Sequence, residues 1–346
     1  METKILTDKI EDIEIAAKII AEGGLVAFPT ETVYETVYGL GANALDPDAI
    51  EKIYKAKGRP ADNPTIVHIA ANSDMNRATD NITKDMKILM EKFWPGPMTM
   101  VVPKKEEVPY VTTGNLETVG IRMPANEVAR KLIELSGCII AAPSANLSGK
   151  PSPTTYQHVI DDLEGRIDAV ICSRQCEIGI ESTVIDLTEE NPMILRPGFF
   201  TRENIQWALK KQVVMDKTLN KDPREEWDFH PKAPGMKYKH YAPSAEMIIF
   251  QGEQNEVLDA MDLEKRERES LGQQVCIISY EGNEEMAAHD FFAQLRQADK
   301  DGYDIILAAA LPEKGIGFSV MNRMLKSAGF NVRKVEVSDD DCSNSR

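Results

Sequence analysis

Residues 1–208 alternate short apolar runs with stretches of helical period. Gly24–Pro29 (GLVAFP), Thr65–Ile69 (TIVHI), Met98–Val102, Val119–Arg122, Cys138–Ala142 and Ala169–Cys172 are short and mostly apolar, which predicts buried strands. Helices are predicted over Ala49–Lys57 and Asn126–Leu135, and another beginning near Gly39. Only some strands are separated by a crossover helix, so the expected fold is α/β with a twisted mixed sheet. The period is lost over residues 209–244, a polar, proline-containing stretch that reads as a linker. A second pattern then begins: strand Glu246–Phe250, helix Glu256–Leu271, strand Val275–Tyr280, helix Asn283–Ala298 and strand Ile305–Ala309. A glycine-bearing turn (EKGIGFSV) leads to helix Met321–Ala328, and the polar end SDDDCSNSR is expected to fray. Regular strand–helix alternation predicts a small parallel sheet. The expected organisation is therefore two domains, 1–208 and 245–346, joined by 209–244.

The 346-residue chain carries a formal charge of −16. Residues 1–208 hold 21 Lys+Arg against 31 Asp+Glu, a net of −10, leaving 19 against 25 and a net of −6. A protein that works by neutralising nucleic-acid phosphates is ordinarily basic, so an RNA-binding role would need a local patch. The five cysteines form no CxxC and the five histidines are scattered, which supports neither a zinc site nor a disulfide framework. No apolar run is long enough to span a bilayer, and the amphipathic, acid-interrupted first twenty residues resemble no targeting peptide. A cytoplasmic protein without membrane partners is expected. GxSxG and GxxxxGK[ST] are both absent, which removes the nucleophile elbow and the P-loop.

Five clusters carry candidate chemistry. Pro29-Thr30 precedes a direct repeat, ETVY at 31–34 and again at 35–38, and then Gly39-Leu40-Gly41. These hydroxyls and amides suit an anion or zwitterion, or simply a capped helix after a strand. Lys55, Lys57 and Arg59 crowd a helix C-terminus closed by Gly58 and Pro60; the helix dipole accounts for them, and so does a phosphate. His68 lies in the following strand as a half-buried histidine. Arg122, at an apolar strand end, requires an anion, internal or from a substrate carboxylate. Ala142–Gly149 (APSANLSG) runs from a strand into small polar residues suited to a phosphate, a base edge or a turn. Gly179–Val184 (GIESTV) and Leu195–Gly198 (LRPG) place a further arginine, Arg196, before a Pro-Gly turn.

Taken in order, PTETVY, GLGANA, KAKGRPADNPTIVHI, WPGPMTMVV, VGIRMP, APSANLSG, GIESTVIDL and ILRPG resemble the YrdC/TsaC-type threonylcarbamoyl-AMP synthases across about residues 10–205. APGMKYKHYAP and LPEKGIGFSVMNRMLKSA resemble the long form with an extra C-terminal domain. The resemblance implies a YrdC-like synthase domain and a small parallel, Rossmann-like α/β C-terminal domain. It implies a nucleotidyltransferase joining L-threonine, bicarbonate and ATP into threonylcarbamoyl-AMP and pyrophosphate for tRNA modification. Lys57 and Arg59 would be the catalytic pair, holding ATP phosphates with Asn63. Thr118, Ala142, Ser144, Asn146, Ser152 and Arg196 would serve the nucleotide, and Tyr241 would fold over it from the linker. Thr36, His68, Arg122, Ser144 and Ser182 would frame threonine, with Arg122 on its carboxylate. Mg2+ would arrive with ATP, without protein ligands, and the product would pass to the tRNA threonylcarbamoyl-transfer machinery, with tRNA contact weak or indirect. Two departures stand out: the doubled ETVY, and Ser173-Arg174-Gln175-Cys176 where the family has paired glycines and a proline. Beside the enzyme stand an RNA-binding module without catalysis and a copy impaired by the repeat.

Overall fold

The computed structural model describes residues 2–30, 37–173, 180–219, 232–234 and 241–335. The doubled ETVY therefore falls outside the described residues except for Val37 and Tyr38, as do Thr36 and the Arg174–Cys176 departure.

The first sheet is mixed, as expected. Among the described residues its eleven strands run, in order across the sheet, Lys4–Thr7, Ala169–Cys172, Val26–Pro29, Tyr38–Asn43, Ile140–Ala141, Ile66–His68, Thr118–Arg122, Met98–Pro103, Thr183–Asp186, Met193–Arg196 and Val214–Met215. Helices Ile10–Ala21 and Glu127–Ser136 pack together over one part of it, with Ile13, Ile20, Phe28, Leu132 and Ile171 forming that core. The larger core, which includes Ile50, Ile53, Val67, Met100 and Ile121, lies under Pro47–Lys57 and Lys84–Phe93.

The helix expected near Gly39 is instead the strand Tyr38–Asn43, antiparallel to Val26–Pro29. The reason is side-chain volume. A Cβ at Gly41 would lie 2.6 Å from the Phe28 ring and 2.8 Å from Ile140, and one at Gly39 would lie 3.3 Å from Ala142. Glycines two apart on one face are a strand spacing, and here they let Phe28 lie across the neighbouring strand.

Pro47–Lys57 starts where its sequence says it should: the Asp46 side chain accepts from the Asp48 and Ala49 amides, and proline occupies the first turn. Gly58, at φ 62°, ends it in the left-handed conformation, which turns the chain so that Arg59 leaves the helix axis.

The second sheet has the order Val275–Ile278, Ile305–Ala309, Glu246–Gln251, Val332–Lys334, with every pair parallel. Gln254–Ser270 covers one face; Glu284–Asp301 and Gly315–Ser327 pack together on the other. The expected glycine turn at EKGIGFSV is in fact the start of helix Gly315–Ser327. Glu284 from the neighbouring helix accepts the Gly317 amide at 3.0 Å, so a carboxylate satisfies the helix N-terminus and helical structure begins earlier than the glycines suggest. No helix among the described residues is long and apolar enough to cross a membrane.

Candidate active site

A cleft opens where the large sheet, the loop after Pro47–Lys57 and the end of the linker meet. Lys57, Arg59, His68, Arg122, Ala142, Ser144, Asn146, Arg196 and Tyr241, all expected from the sequence, line it together.

Lys57 is fully buried, and its ammonium donates to the carbonyls of Ser144 and Asn146. Burial, then the neighbouring charge of Arg59, draws its pKa well below the ordinary lysine value. The contact fastens the Ala142–Gly149 loop to the helix end. That loop is pinned again by Leu40, whose amide donates to Pro143 at 2.8 Å, and by Ser148, whose amide donates to the Lys57 carbonyl at 2.9 Å. Arg59 donates through Nε to the Asn63 carbonyl at 3.3 Å and through Nη2 to the Pro64 carbonyl at 2.8 Å, so it shapes its own loop. Burial lowers its pKa to about 10, which leaves it charged at neutral pH.

His68 and Arg122 are cross-strand neighbours in register. The His68 Nδ1 lies 3.1 Å from the Ile66 carbonyl, and since a carbonyl only accepts, Nδ1 carries the proton. Burial, reinforced by the charge of Arg122, lowers the His68 pKa to about 3, so the ring is a neutral hydrogen-bonding group and not a general acid at working pH. Arg196 grips the wall between strands, donating from Nε and Nη2 to the Ser182 carbonyl at 3.1 and 3.0 Å and from Nη2 to the Ser182 hydroxyl at 3.0 Å.

Tyr241 stands at the linker's far end with φ 65°, its ring 5.0 Å from Phe292 of the C-terminal unit. Burial and then the charge of Glu181 push its phenol far up, so it stays protonated. The next residue, Ala242, donates to the Gly149 carbonyl at 2.9 Å on the cleft rim. Arg296 holds the same rim, donating to Ser152 and Pro151 and pairing with Asp162 at 2.8 Å.

Four expected residues are described but do not line the cleft. Asn63 is buried in the Arg59 loop, its Oδ1 without a hydrogen-bond partner among the described residues. Ser152 lies behind the wall, donating to Glu181 Oε1 at 3.0 Å. Ser182 is fully buried, its hydroxyl 2.8 Å from that of Thr99. Thr118 sits at the opposite end of the Arg122 strand, roughly 13 Å away at the usual rise per residue.

The sequence reading missed Tyr38, Lys150 and Glu181 as lining residues. Glu181 stood in the GIESTV motif, but nothing local marks a single acid for burial. The signal lay far along the chain, in Arg323, which reaches Glu181 Oε2 with Nε at 3.0 Å. Thr30 closes the other side, donating to the Val37 carbonyl at 2.7 Å.

Comparison with known proteins agrees with this geometry. A family model described as "Telomere recombination" matches residues 18–198, and one described as "Threonylcarbamoyl-AMP synthase, C-terminal domain" matches residues 200–329. The chain is 47% identical over 341 residues to the threonylcarbamoyl-AMP synthase of Pyrococcus abyssi, covering 95% of this chain and 98% of that one. To the Bacillus subtilis threonylcarbamoyl-AMP synthase it is 41% identical over 349 residues, covering 95% and 96%. The crystal structure of P. abyssi Sua5 complexed with L-threonine matches with a TM-score of 0.89 at 45% identity, over 97% of this chain and 100% of that chain. With both family models in place and relatives matched over nearly their full length, the chain belongs to the threonylcarbamoyl-AMP synthase family, in its long, two-part form.

Proposed function

We propose that this cleft joins L-threonine, bicarbonate and ATP into threonylcarbamoyl-AMP, releasing pyrophosphate, as the first step of threonylcarbamoyl modification of tRNA. One observation carries the reading. In a chain of net charge −16, the described cleft wall presents Lys57, Arg59, Arg122, Lys150 and Arg196 against a single carboxylate, Glu181. The surroundings repel anions, while the site is built to gather several of them.

The chemistry asks for such a site. The threonine amine attacks the bicarbonate carbon, and loss of water leaves a carbamate. A carbamate oxygen then attacks the α-phosphorus as the bond to the bridging oxygen breaks and pyrophosphate departs. Two anionic substrates must lie beside a polyphosphate, so positioning and electrostatic stabilisation supply most of the rate. Arg122, beside neutral His68, suits the threonine carboxylate. Arg59, Lys57 and Arg196 surround the side suited to phosphates. Asn146 offers a buried Oδ1 without a partner among the described residues, an acceptor for a donor on the nucleotide. The carbamate is labile in water, which gives Tyr241 and the linker a reason to close the cleft.

Magnesium would be carried on phosphate oxygens and water and would offset phosphate charge. Among the described residues no three His, Cys, Asp or Glu gather as ligands, and Glu181 is already engaged by Arg323 and Ser152. The proposal places the reaction in the cytoplasm, with the product handed to the tRNA threonylcarbamoyl-transfer machinery and no direct tRNA grip required. The test is formation of an AMP-linked product from ATP that requires threonine and bicarbonate together. ATP consumption indifferent to either one refutes it.

A further inference from the structure

We propose that Arg323, on helix Gly315–Ser327 of the C-terminal unit, is a positioning residue that fixes the Glu181–Ser182 wall and keeps Arg196 available to the anionic nucleotide. The inference rests on the reading of the cleft as an ATP site and deepens it by giving the C-terminal unit a part in that site.

The helix has two faces of different chemistry. Val320, Met321 and Met324 join the core of their own unit. Ser319, Asn322, Arg323, Lys326 and Ser327 recur at three- and four-residue spacing, the period of one helix face, and all are buried. Burying a polar stripe is costly unless partners meet it. For Ser319, Asn322 and Arg323 they come from the first unit and the linker. Ser319 Oγ donates to the Gly198 carbonyl at 2.8 Å, Asn322 Nδ2 to the Leu219 carbonyl at 2.8 Å, and Arg323 Nε to Glu181 Oε2 at 3.0 Å. Arg323 Nη1 donates to the Pro197 carbonyl.

One guanidinium thus holds two segments that are themselves pressed together. A Cβ on Gly198 would lie 2.4 Å from the Thr183 amide nitrogen and 2.6 Å from the Glu181 carbonyl oxygen, so the Pro197-Gly198 turn rests directly on the Glu181–Thr183 backbone. Arg196 opens that turn and is bound to Ser182. Burial pushes the Glu181 carboxyl up, and Arg323 followed by Arg196 more than offsets this and holds it below the usual carboxylate range. Without Arg323, a buried carboxylate would turn to the cations left near it, Arg196 and Lys326, and its pull on Arg196 would compete with the nucleotide.

The test uses the full chain as wild type, Arg323→Met, Glu181→Gln and the double variant, with KM and kcat for ATP and thermal unfolding of each. Arg323→Met is expected to raise KM for ATP about tenfold, the scale of one charge-assisted contact, with a smaller change in kcat. The double variant is expected to return to within about threefold of Glu181→Gln alone, because the stranded charge is gone. A loss of packing alone would not be rescued this way. An unchanged KM in a folded Arg323→Met protein, or losses that multiply in the double variant, overturns the proposal. If Arg323→Met does not fold, Arg323→Lys replaces it: it keeps the cation but loses the fork to Pro197, and an unchanged KM overturns the proposal. A wild type without activity sinks the reading of function instead. Calorimetric ATP binding to wild type and Arg323→Met then decides Arg323, and a wild type that binds no ATP overturns both.

Discussion

The Lys57 ammonium donates to the carbonyl oxygen of Ser144, which lies 87 residues further along the chain. A cation at the end of one helix thereby sets the height of a loop that follows a strand from another part of the sheet. Its second acceptor, Asn146, is two residues on, so the loop is held at two points.

Lys57→Met is expected to strand both carbonyls and loosen the Ser144–Asn146 turn. Affinity for ATP should fall roughly ten- to a hundredfold, the equivalent of about 1.5–3 kcal/mol for contacts of charged groups. Calorimetric titration measures it, and unchanged affinity would show that the loop holds its shape without the clamp.

Arg59→Ala is expected to leave the fold intact, since the side chain is only partly buried and its acceptors belong to its own loop. Turnover should drop about ten- to a hundredfold, because water does not replace a fixed guanidinium on phosphate. Near-normal ATP turnover would remove Arg59 from the site.

Gly198→Ala is expected to destabilise the protein by about 1–3 kcal/mol or more, because the added methyl meets backbone that cannot rotate away. Chemical denaturation reads this directly. A variant as stable as the parent would mean that the Pro197-Gly198 turn lifts off the Glu181–Thr183 backbone freely.

His68 predicts the acid limb of stability. Its folded pKa of about 3 lies below the unfolded value of 6.5, so between those values the unfolded chain binds the extra proton. Stability therefore rises with pH across that window and is progressively lost as pH falls from 6.5 towards 3. Burial, followed by the charge of Arg296, lowers His158 to about 4, which adds to the same limb. His68→Gln should flatten the curve below pH 6.5, measured by denaturation at stepped pH. An unaltered curve would mean that His68 charges in the fold without penalty.

The sequence by itself determined the elements whose causes are local. The helix ending at Lys57 follows from Asp46, Pro47 and Gly58, and the strands at Ile66–His68, Thr118–Arg122, Ala169–Cys172 and Ile305–Ala309 follow from short, mostly apolar runs. It also supplied most of the cleft's cations, because Lys57, Arg122 and Arg196 each end a helix or strand and Arg59 follows one in a Gly/Pro turn. Tertiary structure decided what depended on distant volume and charge. Gly39 and Gly41 read locally as a turn before a helix and became strand because Phe28 and Ile140 needed their space. Gly315 and Gly317 read as a turn and became helix because Glu284 reached the Gly317 amide from another helix. Thr118 and Arg122 share one strand, and its length alone carries Thr118 away from the cleft that Arg122 lines. Glu181 is held as the carboxylate of the cleft wall chiefly by Arg323, 142 residues away, since a buried charge is set by whichever opposite charge the fold brings within reach.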